Sequence, residues 1–149
     1  MPRKIPAEDE THLLNVDLEI WSTEKRTPMV TAMKKRGFMV LTASRWIEDS
    51  YLASFECRSD ARGRVAISAD VKTRELAKAI EALPPKARKL FDNAKRRVFD
   101  IGNQGEKKTN GFQLALSSST VKRVAALNAE IGVTVYAANR PAPHLPAKK

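Results

Sequence analysis

The chain has 149 residues, 42% of them hydrophobic, enough for one domain with a core of its own. Its 27 lysines and arginines against 17 aspartates and glutamates leave a net charge of +10, which favours acidic partners. One cysteine excludes an intramolecular disulfide, that cysteine and two histidines offer no zinc-ligand spacing, and no apolar run approaches the roughly 18–20 residues of a membrane span.

Residues 1–12, MPRKIPAEDETH, hold two prolines and an acidic run and read as a disordered arm. They lack the apolar stretch of a secretory leader, so the cytoplasm is the expected compartment. A strand is expected from Leu14 to Trp21, with Val16, Leu18 and Ile20 facing the core and Asp17, Glu19 and Trp21 facing away. Trp21 on the polar side is a candidate recognition aromatic, although cover by a second layer is the commoner fate of such a residue. Thr27 and Pro28 predict a helix over 28–36, the hydroxyl at N-cap and the proline at N1. Lys34, Lys35 and Arg36 fall in its last turn, where the helix dipole favours them, and Gly37 closes it. Phe38–Ser44 and Tyr51–Arg58 predict a hairpin around a loop at Arg45–Ser50, and Val65 and Ile67 mark a further short strand. Cys57 lies in the alternating pattern and reads as a small buried hydrophobe rather than a nucleophile.

Asp70 or Thr73 is the expected cap of a helix over 73–83, with Leu76, Ala77, Ile80 and Leu83 as its apolar stripe. Pro84 and Pro85 end it and start a second helix over 85–97. There Ala87, Leu90, Phe91, Ala94 and Val98 share about a 100° sector, and Lys86, Arg88, Lys89, Lys95, Arg96 and Arg97 fill most of the remainder. This is the most basic region of the chain and its candidate binding face. Val98 to Gly102 reads as a strand, followed by a loop that ends on the hairpin signal Asn110-Gly111.

From Gly111 to Ala138 the pattern is most regular. Phe112, Leu114 and Leu116 alternate as a strand, and Ser117 to Ser119 supply cap hydroxyls for a helix over 119–131. Gly132 stands where a left-handed C-cap is needed, and Val133, Val135 and Tyr136 suit a final strand. Residues 139–149 hold three prolines and read as a loose basic tail. The expected architecture is a single α+β domain over 13–138. It has an antiparallel or mixed sheet of six to seven strands, four helices, and two halves, β-α-β-β and β-β-α-β, around a helical pair.

Little chemistry is visible. His12 and His144 lie in the expected tails, no Gly-x-Ser-x-Gly turn is present, and Gly102 to Gly105 lacks the phosphate-loop lysine. Asp17 with Glu19, and Glu48 with Asp49, read as solvated surface charge rather than catalytic carboxylate pairs. No catalytic residue, metal ligand or cofactor is expected.

The closing segment LALSSSTVKRVAALNAEIGVTVYAA resembles that of an uncharacterised family of small bacterial α+β proteins. The earlier order of strand, short helix, hairpin and a helix pair broken at Leu83-Pro84 is similar too. The resemblance implies the same fold and no catalytic motif. It also implies an immunity or regulatory role through protein binding, although such proteins are usually acidic and this chain is not. Two functions follow as expectations: a non-enzymatic interaction module whose basic face meets an acidic protein, or a nucleic-acid-binding protein using Lys86, Arg88, Lys89, Lys95, Arg96 and Arg97. A membrane surface is not expected as partner, because the basic helix spends its apolar sector on the core.

Overall fold

A computed structural model describes residues 12–57, 68–105 and 114–137. Its elements run β1 (His12–Ser22), α1 (Thr27–Lys35), β2 (Met39–Ile47), β3 (Ser50–Glu56), α2 (Ala69–Glu81), α3 (Pro85–Asp92), β4 (Arg96–Gln104), α4 (Ser118–Ala126) and β5 (Glu130–Tyr136). The strands form one mixed sheet in the order β2-β3-β1-β4-β5. β1 lies at its centre, antiparallel to both β3 and β4, while β5 runs parallel to β4. A parallel pair needs a crossover, and α4 supplies it.

The period-two pattern of β1 is realised: Val16, Leu18 and Ile20 are fully buried. Register puts Phe55 and Phe99 beside Leu18, and Ala53 beside Ile20, on the same face. Met29 and Met33 of α1, Leu76 and Ile80 of α2, Phe91 of α3 and Val124 of α4 fill the space above them. The fold is a single α+β domain with its helices on one face of the sheet. Among the described residues no helix covers the other face. No helix there is long and apolar enough to cross a membrane.

Several boundaries differ from the sequence reading. Five strands of the mixed sheet lie among the described residues, and the other expected strands fall wholly or partly outside them. Leu114 to Ser117 is irregular, and Val65, Ile67 and Phe112 lie outside the described residues. β1 begins at His12, which pairs with Gln104 and so belongs to the sheet rather than to an arm. α1 begins at Thr27 with Arg26 at N-cap, so the Thr27 hydroxyl is not a cap. Ser68 rather than Asp70 or Thr73 caps α2, its hydroxyl accepting from Val71 N at 3.2 Å. Ser117 caps α4 as its sequence suggests. That helix stops at Ala126, because Asn128 (φ 53°) takes the left-handed position expected of Gly132. Gly132 instead lies inside β5.

The β2–β3 connection is tighter than expected. The strands meet at Ile47 and Ser50, leaving only Glu48 and Asp49, both with positive φ (45° and 62°). That is the requirement of a type I′ hairpin turn, normally met by Asn-Gly. Replacing Glu48-Asp49 with Asn-Gly should therefore stabilise the protein by about 1 kcal/mol, visible as a higher urea midpoint with an unchanged slope.

Candidate binding face

The six basic residues expected on one helix are dispersed. α3 ends at Asp92, because pairing of Arg96 with Trp21 and Arg97 with Ile20 draws the following residues into β4. Lys86 and Lys89 remain exposed on α3, while Arg88 is spent on Asp92 at 2.9 Å. Lys95 occupies the α3–β4 turn and donates to Ser50 Oγ at 3.4 Å. Arg96 points to the helix-free face of the sheet, is itself exposed, and clamps Glu130, Nη2 to Oε2 at 2.9 Å. Arg97 points the other way and is buried, donating to four backbone carbonyl oxygens, those of Phe91, Asp92, Ala94 and Asn128. It therefore offers nothing to a ligand.

Cys57 is buried, its thiol donates to the Lys72 carbonyl at 3.4 Å, and burial pushes its pKa up to about 11. This thiol is a poor nucleophile. Asp17 and Glu19, read from sequence as solvated charge, have a different setting. Register aligns Glu56 of β3, Asp17 of β1 and Asp100 of β4 in one row across three adjacent strands. Glu19 stands in the next row, between Ser54 and Val98. All four carboxylates lie on the helix-free face, in a chain of net charge +10. Neighbouring strands are about 4.8 Å apart. At that separation two ionised carboxylates repel by about 3 kcal/mol at an effective dielectric of about 20.

The electrostatics follow from burial first and from this crowding second. Burial first, then Glu56, Asp100 and Glu19, push the Asp17 carboxyl up to about 7. Burial and Asp100 raise Glu19, against the pull of the Trp21 indole N–H and Arg96. Burial also raises Glu56, against the ammonium of Lys72. Lys72, itself buried on α2, thus acts on both Glu56 and Asp17, yet it neutralises neither.

Around the carboxylates stand donors and aromatic rings. Asn15 Nδ2 donates to both Asp17 oxygens at 3.2 Å, and Thr134 Oγ1 to Asp100 Oδ1 at 3.0 Å. Trp21 and Leu52 flank one end of the patch in the Arg96 row. The indole nitrogen of Trp21 is shielded from solvent and lacks an aligned acceptor, although it lies near enough to Glu19 to pull its pKa down. At the other end stands Tyr136, whose phenol is raised by burial and by Asp100, Asp17 and Glu19. Gly102 makes this end possible: a Cβ there would stand 2.5 Å from Asn15 Oδ1 and 3.5 Å from the Tyr136 ring.

No group of three His, Cys, Asp or Glu residues among those described could hold a metal ion. The carboxylates are spaced by the strands rather than converging on a point. Such a row suits an organic cation that spreads its charge over several N–H donors, and the rings at either end suit its planar or methylene parts. No protein-family model matches the chain, and no curated protein and no solved structure matches it either.

The alternation of β1 already put Asp17, Glu19 and Trp21 on one face. Nothing in the sequence joined Glu56 and Asp100 to them, since those residues are 39 and 83 positions from Asp17 and meet it only through strand register.

Proposed function

We propose that this protein is a non-enzymatic interaction module that receives a cationic segment of a partner protein on the helix-free face of its sheet. The observation that carries this reading is the row Glu56–Asp17–Asp100, with Glu19 beside it, on the helix-free face of an otherwise basic chain, where Asp17, Glu19 and Asp100 are half-buried and Glu56 is buried. Burial of the carboxylates, and mutual repulsion around Asp17, destabilise the folded state, and a bound arginine or lysine side chain offsets both. Trp21, Leu52 and Tyr136 favour a polypeptide over a free polyamine, because half-buried aromatic and aliphatic residues beside charge are what protein interfaces use as anchors. A regulatory or immunity-like role, which the resemblance of the closing segment implies, fits such a module.

Calorimetric titration with an arginine-rich decapeptide and its glutamine counterpart tests the reading. Binding of the arginine peptide alone is expected at pH 8. It should be at least tenfold weaker to Asp17→Asn/Asp100→Asn, and weaker at pH 5.5, where Asp17 is protonated. Affinity that is indifferent to the double substitution, or no binding at pH 8 and low salt, removes the proposal.

A further inference from the structure

The opposite, helical layer carries a second charged surface, independent of the carboxylate face. Lys34, Lys35 and Arg36 at the end of α1 are exposed, as are Lys86 and Lys89 on α3. Arg36 joins the two groups: its Nη2 donates at 2.6 Å to the carbonyl of Ala82, just ahead of α3, and α1 packs against α3. None of these five cations has a carboxylate partner among the described residues. Arg74, Lys78, Arg88, Arg96 and Arg123 each do, with Asp70, Glu75, Asp92, Glu130 and Glu81 respectively. Lys25, Lys95 and Lys122 are exposed without a carboxylate partner too, on other elements and turns, so the largest group of unpaired cations among the described residues is the one where α1 ends and α3 begins.

Local helix stability explains only half of this. Cations in the last turn of α1 suit the dipole. Lys86 sits in the first turn of α3, where a cation is disfavoured, and that turn has neither an acidic residue nor a side-chain cap. We infer that the end of α1 and the start of α3 form a docking surface for a nucleic-acid backbone. A polyphosphate chain is favoured over an acidic protein by what the surface lacks. Among the described residues the large exposed hydrophobics are Trp46, Val121, Ile131, Val133 and Val135, on β2, α4 and β5, and none lies on α1 or α3. Protein interfaces depend on buried apolar anchors, whereas backbone contacts to nucleic acid need cations alone. The surface is sequence-independent on this account, since nothing on it is placed to read a base edge.

Fluorescence anisotropy with labelled 20-mer duplexes of mixed-sequence DNA and RNA tests the inference, using the full chain between about 50 and 200 mM salt. Four to five phosphate contacts give a log–log salt slope of about −4, which is a loss of roughly two orders of magnitude over that range. Lys34→Gln/Lys86→Gln/Lys89→Gln should reduce the slope to about −1 and weaken binding at least tenfold at the lowest salt. Lys122→Gln on α4 should leave both unchanged. All four lysines are exposed, so folding is unaffected, and thermal unfolding checks this. No binding at 50 mM salt, or a triple variant that binds like the parent, overturns the inference. So does a polyglutamate peptide that binds with the same slope and displaces the duplex, which assigns the surface to an acidic polypeptide.

Discussion

Arg97→Met should lower the folding stability by about 3–5 kcal/mol, read as a fall in the urea midpoint. Arg97 is the one member of the basic run at 95–97 that turns into the protein, where its guanidinium lies over the Phe91 ring, 5.6 Å from the centroid. Its Nη1 donates to the carbonyls of Phe91 (3.1 Å), Asp92 (3.0 Å) and Ala94 (3.0 Å), and its Nε to Asn128 (3.1 Å). One side chain thus holds the last turn of α3, the entry to β4 and the turn between α4 and β5. Methionine fills much of the volume but leaves the carbonyls of Asp92, Ala94 and Asn128 without this donor, Phe91 keeping the Ala94 N–H, and each buried orphan costs about 1–3 kcal/mol. Arg97→Lys should recover less than half of the loss, because an ammonium cannot reproduce the fork of the guanidinium. Arg96→Ala removes only the exposed pair with Glu130 and should leave the midpoint nearly unchanged. Equal losses at positions 96 and 97 would mean that Arg97 is not the clamp described.

Asp17→Asn is expected to act in the opposite direction and stabilise the protein at pH 8. The native carboxyl titrates near 7 instead of the ordinary 3.8, so the folded state holds a proton that the unfolded chain releases between those values. Stability from this group is fully present below pH 3.8 and lost as pH rises through 7. At about 1.36 kcal/mol per pH unit, that interval corresponds to up to about 4 kcal/mol. Asparagine keeps the shape, carries no charge and escapes the loss. Its advantage should be greatest at pH 8, smaller at pH 5 and absent near pH 3.5. Glu19 and Glu56 are raised too, so the parent protein should be more stable in mild acid than at pH 8. Asp70 works the other way. The Ser117 N–H, donating to its Oδ1 at 2.8 Å, holds its carboxyl low, and that contribution is lost only in stronger acid. Thermal unfolding of parent and variant from pH 3.5 to 8 separates these effects. A variant whose advantage is the same at every pH would show that ionisation of the buried Asp17 carboxyl is not its source.

What the sequence determined by itself was local. The alternation of Val16, Leu18 and Ile20, the proline pair at 84–85, the serine cap of α4 and the Gly37 stop each depend on residues within one turn or strand, and each appears in the fold. Helix ends were legible only where no distant strand competed for the residues. The run from Lys95 to Val98 continues a helical pattern, but pairing with β1 offers it a full row of backbone hydrogen bonds, and the tertiary partner prevails. Side-chain direction followed the same contest: three consecutive basic residues, Lys95, Arg96 and Arg97, ended at a turn, on the helix-free face and in the core. The carboxylate row was decided by tertiary structure alone. Glu56, Asp17 and Asp100 share no local pattern, and only the register of three strands brings their charges to within a few ångströms, where burial and mutual repulsion give the face its character.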